Sequence, residues 1–281
     1  MAFRTRLVRS AVLAWTRPLF TAGAIVAAIF AVHFSYFVIR LEKIRKKLRH
    51  LARQLRSYYA DYGYVLIPNG VANPTLQPGP VDTKAGEAVL QTLIAEVDAA
   101  RPELSKGGYR IWSPCTELPA ALREWSDTSG VALVQWALPE GSKNIRCIGG
   151  AALLKRPGEH KGTPFHQDGA YASEEGSVRH GKKVCALWLA LSASNESSGC
   201  LRFAPSLGFS LLPHERTPRE TAQDGFENSL APKHKARAER EAHSRPVQPG
   251  DVIIIGSQVV HGSHAAEAAE RVAFSPLFEY E

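Results

Sequence analysis

Residues 249–263 read PGDVIIIGSQVVHGS, and this stretch sets the fold class. Pro249, Gly250 and Asp251 have the chemistry of a tight turn. Val252–Ile255 is β-branched, too short for a helix and apolar on both faces, which is the signature of a fully buried strand. His261 stands at its far end. Other short apolar runs follow the same style, at 131–137, 145–155, 184–191, 200–204, 258–261 and 271–279, separated by Gly, Pro and Ser. That texture predicts an antiparallel sandwich or barrel rather than βαβ units. Upstream, Val89, Leu90, Leu93, Ile94 and Val97 predict a helix over 84–98, a second short helix is predicted over 117–125, and 68–81 reads as loop. No internal repeat, GxGxxG or Walker loop is present, so nucleotide-binding classes lack their motif.

Within the β-rich half, His166-Gln167-Asp168 has two ligand types in alternating positions. On an extended strand both would point to one side. With His261 they make two neutral imidazoles and one carboxylate, a facial set that leaves adjacent positions on iron open for a chelating co-substrate and O₂. A zinc hydrolase needs one open position. Arg271, ten residues after His261, offers an always-charged fork for a carboxylate. The spacing places it on a strand beside that of His261. The bland alternatives are ordinary core or surface histidines and an Arg271 ion pair with Glu267 or Glu270.

In DYGYVLIP (61–68), LLKRPGEHKGTPFHQDGAY (153–171), VCALWLALSASNESSGCLRFAPS (184–206), PGDVIIIGSQVVHGS (249–263) and Arg271, the chain resembles the phytanoyl-CoA dioxygenase family. These are iron(II)- and 2-oxoglutarate-dependent oxygenases, and the likeness covers about 57–281. The resemblance implies a mainly β fold with flanking helices, a double-stranded β-helix or jelly roll. It implies His166, Asp168 and His261 as catalytic iron ligands and Arg271 as partner of the 2-oxoglutarate distal carboxylate. Ser263 would donate a hydrogen bond nearby, and Lys155 and Trp188 would wall the cavity. Halogenating relatives lack the carboxylate ligand, so Asp168 implies hydroxylation. Pro205-Ser206-Leu207-Gly208 departs from the family's PGSH turn and alters the substrate side. Two rival classes stay open at this point. One is a non-catalytic membrane-anchored jelly-roll binding protein; the other is a cupin-like metalloenzyme that does not use 2-oxoglutarate.

The net charge of +7 is unevenly spread. Up to Arg56 every charged residue except Glu42 is basic, whereas 57–281 holds more acids than bases. The basicity points to a membrane surface or targeting signal, and the acidic remainder argues against nucleic acid. Residues 18–39 carry no Lys, Arg, Asp or Glu. As a helix they reach roughly 33 Å, enough for a ~30 Å hydrocarbon core. The domains expected are therefore a basic segment 1–17, a single transmembrane helix 18–39, a basic juxtamembrane helix 40–56 and an oxygenase domain 57–281. The domain carries a charged insertion or lid at 215–246. The heavier basic flank after residue 39 puts the catalytic domain in the cytoplasm. The Arg-rich, acid-free start supports a mitochondrial membrane as the alternative. Leu41, Ile44, Leu48, Leu51, Leu55 and Tyr58 form a stripe that either packs on the domain or makes a homodimer through 41–58. The substrate expected beside a bilayer is a small or lipid-like molecule. Cys115, Cys147, Cys185 and Cys200 form no CxxC pair, so reduced thiols are expected rather than a disulfide scaffold or zinc knuckle.

Overall fold

The alternation along one strand explains the architecture. In the computed structural model, which describes residues 34, 37–73, 83–105, 107–172, 183–218, 221–223 and 226–281, Val252 and Ile254 enter one apolar cluster, and Ile253 and Ile255 enter another. This strand is covered on both faces, as its sequence requires. Each fully buried side chain of this size contributes roughly 1.5–3 kcal/mol.

The chain divides into Met1–His50 and Leu51–Glu281. In the first unit residues 37–50 are helical, and Phe37, Val38, Ile39 and Leu41 are exposed. No helix among the described residues is long and apolar enough to cross a membrane; the expected span lies largely outside them. The second unit opens with helix α1 (51–62), whose Leu51, Leu55 and Tyr58 pack against the core.

In chain order there follow β1 (Tyr64–Ile67), α2 (Thr83–Ala99), β2 (Tyr109–Trp112), α3 (Ala120–Trp125), α4 (Val131–Ala137), β3 (Arg146–Lys155), α5 (Gly169–Ala172), β4 (Lys183–Ala190), β5 (Leu201–Phe203), β6 (His214–Arg216), β7 (Asn228–Leu230), α6 (Pro232–Glu241), β8 (His243–Arg245), β9 (Val252–Gly256), β10 (His261–Ser263) and β11 (Arg271–Tyr280). A large sheet has the order β1-β9-β4-β11-β3-β2 and a small one β10-β5-β8; β6 and β7 pair separately. All pairings are antiparallel. The fold is thus mainly β with helices on one face, consistent with a jelly roll. One core cluster joins the large sheet to α2, α3 and α4. The other, with Tyr64, Trp188, Phe203 and Ala273, unites residues of both sheets.

The turn before β9 works as expected. Gly250 has a φ of 89°, a left-handed conformation that side chains resist. The Asp251 carboxylate accepts from the amides of Gln248 and Asn69 at 2.8 and 2.7 Å.

Several expectations need correction. VALVQWA (131–137) is helix α4, not a strand. Leu133, Val134, Ala137 and Leu138 are fully buried, the i, i+1, i+4, i+5 stripe of a helix, and this outweighs the β-branched content. The run 258–261 is a turn leading into β10. Residues 215–246 contribute β8 to the small sheet, so they are more than an insertion. β11 does not lie beside β10; the two strands belong to different sheets.

Candidate metal and co-substrate site

Three side chains converge between the sheets. His166 and His261 form an isolated antiparallel bridge: each backbone amide donates to the other's carbonyl, at 2.9 and 3.0 Å. Their rings lie 4.4 Å apart. Asp168 Oδ1 is 3.5 Å from His166 Nε2 and 3.6 Å from His261 Nε2. Asp168 is not on a strand, as the alternation argument supposed. It sits on the turn into α5, with Gly169 N donating to Ser257 O at 2.7 Å.

The orientation of the rings is fixed from behind. His166 Nδ1 lies 2.8 Å from Pro164 O, and His261 Nδ1 lies 3.1 Å from Val259 O. With Nδ1 donating to a carbonyl, each Nε2 presents its lone pair toward Asp168. Burial drives His261 down to about 4, against attraction from Asp168, so its imidazole is neutral at pH 7. Burial pushes the Asp168 carboxyl up, but the neighbouring His261 and His166 rings outweigh this and hold it below the usual range. Donors bound at ~2.1 Å to one ion lie roughly 3–3.5 Å apart. The spacing and the nitrogen–oxygen donor set therefore fit a divalent metal such as iron(II).

Sequence reasoning passed over Gln167, which holds this turn in place. It is fully buried. Its Nε2 donates to Ser210 O and Gln258 O at 2.9 and 2.5 Å, and its Oε1 accepts from Leu212 N at 2.8 Å. The loops before β6 and before β10 are thereby tied to the residue between two candidate ligands. Its only sequence signal was its position in the triplet.

Arg271 and Lys155 are direct partners across β11 and β3. Arg271 shares the strand parity of Ala273, and Lys155 that of Leu153, both on the inter-sheet face. Both cations are buried. Arg271 Nη1 donates to Gly199 O at 2.7 Å, its buried Nε has no partner among the described residues, and the guanidinium lies 5.5 Å from the Trp188 ring centroid. Among the described residues no carboxylate pairs with it, because Glu270 is engaged by Arg101. Burial lowers Arg271 to about 10 while the Cys200 thiol opposes the shift, so the group stays charged. Such a cation fits an incoming carboxylate. Lys155 Nζ donates to His264 O at 3.2 Å. Ser263 Oγ accepts from Thr163 N at 2.9 Å; the contacts of Ser263 lie with the loop before His166 rather than with Arg271.

An aromatic rim adjoins His166. Phe226 and Tyr171 lie 5.7 and 6.0 Å from its ring, and Tyr109 lies 5.7 Å from Phe226. Tyr171 Oη accepts from Asn228 N at 3.2 Å, and burial raises its hydroxyl to about 12. Phe226 comes from the charged segment 215–246, where an isolated aromatic was the available signal.

The sequence model of the family described as "Phytanoyl-CoA dioxygenase (PhyH)" matches residues 111–272. Among solved structures, the non-heme alpha ketoglutarate dependent epimerase SnoN from nogalamycin biosynthesis is 19% identical, covers 83% of each chain and has a TM-score of 0.55. EvdO2 from Micromonospora carbonacea var. aurantiaca is 17% identical over 80% of this chain and 89% of its own, with a TM-score of 0.55. EctD from S. alaskensis, with 2-oxoglutarate and 5-hydroxyectoine, is 14% identical over 80% and 74%, also at 0.55. At these identities the likeness is one of fold.

Proposed function

The chain belongs to the phytanoyl-CoA dioxygenase family of iron(II)- and 2-oxoglutarate-dependent oxygenases, and we propose that it hydroxylates a small or lipid-like molecule, with His166, Asp168 and His261 holding the iron. Membership sets aside both the non-catalytic reading and the metalloenzyme that does not use 2-oxoglutarate. The observation that carries the ligand assignment is the meeting of three donors from two distant segments, with Nε2 to Oδ1 distances of 3.5 and 3.6 Å.

His166, Asp168 and His261 would hold iron(II), which with 2-oxoglutarate would supply O₂ activation coupled to loss of CO₂ from the co-substrate to give succinate. The chain's own residues do the positioning. Pro164 O and Val259 O hold the imidazoles in the ligating tautomer. Arg271 neutralises the far carboxylate of the co-substrate and Lys155 adds positive field beside it, while Trp188 packs under the guanidinium. Asp168 occupies the position that halogenating relatives leave small, which supports hydroxylation. Tyr109, Tyr171 and Phe226 form an apolar approach that excludes water and suits a hydrophobic substrate.

Membrane anchoring is part of the proposal. The uncharged run 18–39, its basic flanks and the exposed Phe37, Val38 and Ile39 support a single span with the catalytic unit in the cytoplasm. A mitochondrial membrane is the competing address. The packing of Leu51, Leu55 and Tyr58 on the core favours α1 as a domain helix over a dimer seam.

Anaerobic addition of iron(II) and then 2-oxoglutarate to the chain is expected to give the visible charge-transfer band of a chelated keto acid. Asp168→Ala is expected to lose the band and turnover. A variant that keeps full activity would break the ligand assignment.

A further inference from the structure

On the opposite face of the large sheet lies a second group of donors. Cys115 opens the short 3-10 helix after β2, Asp127 lies in the π-helical segment that joins α3 to α4, and Cys147 stands at the start of β3. Their sulfur and carboxylate atoms all lie within 4.8 Å of one another. Cys147 belongs to the core shared with the helices, and Cys115 packs against it, so the cluster is separated from the iron site by the sheet itself. We propose that Cys115, Asp127 and Cys147 bind a zinc-type divalent ion that fastens the α3–α4 layer to β3.

The donor set carries the argument. Two thiolates and one carboxylate suit a borderline-soft tetrahedral ion, with water as fourth ligand. Cys115 is half-buried and Asp127 exposed, so an ion has a path in, while Cys147 anchors the site from the core. Both thiols are free. Asp127 pairs with no Lys or Arg among the described residues, so its carboxylate is open to an ion. Binding releases the thiol protons to solvent, and the dication then offsets the carboxylate and both thiolates. The three positions are too far apart in sequence to form a zinc-finger spacing, so only the fold brings them together.

The test uses the full-length Asp168→Ala chain, metal-free and kept reduced with a phosphine, so that the histidine site is disabled. Titration with cobalt(II) is expected to give an intense near-ultraviolet thiolate-to-cobalt charge-transfer band, which nitrogen and oxygen ligands do not produce. Adding Cys115→Ser should abolish the band, Asp127→Asn should weaken cobalt binding, and Cys200→Ser should leave the band intact. Zinc should slow alkylation of Cys115, an effect that should weaken in Asp127→Asn, and should raise the thermal midpoint, an effect that should be lost in Cys115→Ser. Circular dichroism checks that each variant is folded. Absence of the band in a folded, reduced chain would overturn the proposal, as would equal alkylation rates with and without zinc. The band does not depend on turnover, so its outcome is independent of the oxygenase reading.

Discussion

Arg271 holds its charge where the chain supplies no opposite charge among the described residues. Among the described residues its Nε has no partner, and its Nη1 donates to Gly199 O. Burying an unpaired charge costs free energy, and a bound carboxylate offsets it. Arg271→Met is therefore expected to leave the empty chain at least as heat-stable as the wild type. It should raise the Kd for 2-oxoglutarate about tenfold to a hundredfold, since charge-assisted hydrogen bonds contribute about 1.5–3 kcal/mol. Thermal midpoints of the iron-loaded chain with and without 2-oxoglutarate check both halves; unchanged affinity would put the carboxylate elsewhere. His261 gives a pH dependence. The unfolded chain takes up this proton near the ordinary value of 6.5, whereas the folded chain does so only at about 4. Between those values protons bind the unfolded state better, so stability falls as pH falls through the window. The metal-free chain is expected to lose up to about 3 kcal/mol between pH 6.5 and 4. Urea midpoints measured across that range should show the slope, and His261→Gln should flatten it.

At the scale of elements, the proposed iron site depends on loops more than on strands. Gln167 joins the turn of Asp168 to the loops carrying Ser210, Leu212 and Gln258. Gln167→Leu keeps the volume but leaves those backbone groups unpaired, at about 1–3 kcal/mol each. The expected result is a lower thermal midpoint and weaker iron binding, with 2-oxoglutarate affinity at saturating iron nearly unchanged. A variant that binds iron normally would reduce Gln167 to a packing role. The legibility of the elements follows from the same physics. β4, β9 and β11 were readable because long apolar runs covered on both faces leave few alternatives. VALVQWA was misread because its local preference is extended and its helical stripe shows only against the core it packs on. β6, β7 and β8 are three residues each, too short for any period, and they lie inside a charged stretch. The meeting of His166, Asp168 and His261 was legible from residue type and order. The turn that carries Asp168, and the sheet boundary between His261 and Arg271, were not, because spacing along the chain does not encode which sheet a strand joins.

For the whole molecule, the charge asymmetry supplies the prediction. If 18–39 spans a bilayer, the full chain should stay with membranes after alkaline carbonate extraction, while a chain lacking residues 1–50 should be released and keep oxygenase activity. That cut matches the compact unit Leu51–Glu281 and spares Leu51 and Leu55, which pack on its core. Release of the full chain by carbonate would rule out the span. Composition carried this part of the reading, while the Cys115 and Cys147 pairing was invisible to it. The bridge between His166 and His261 has a last implication for how the donors are placed. Its two amide-to-carbonyl bonds close only when two segments far apart in sequence have met. The separation of the two imidazoles is thus set by main-chain pairing, and a proline at either position would part the rings by removing an amide donor.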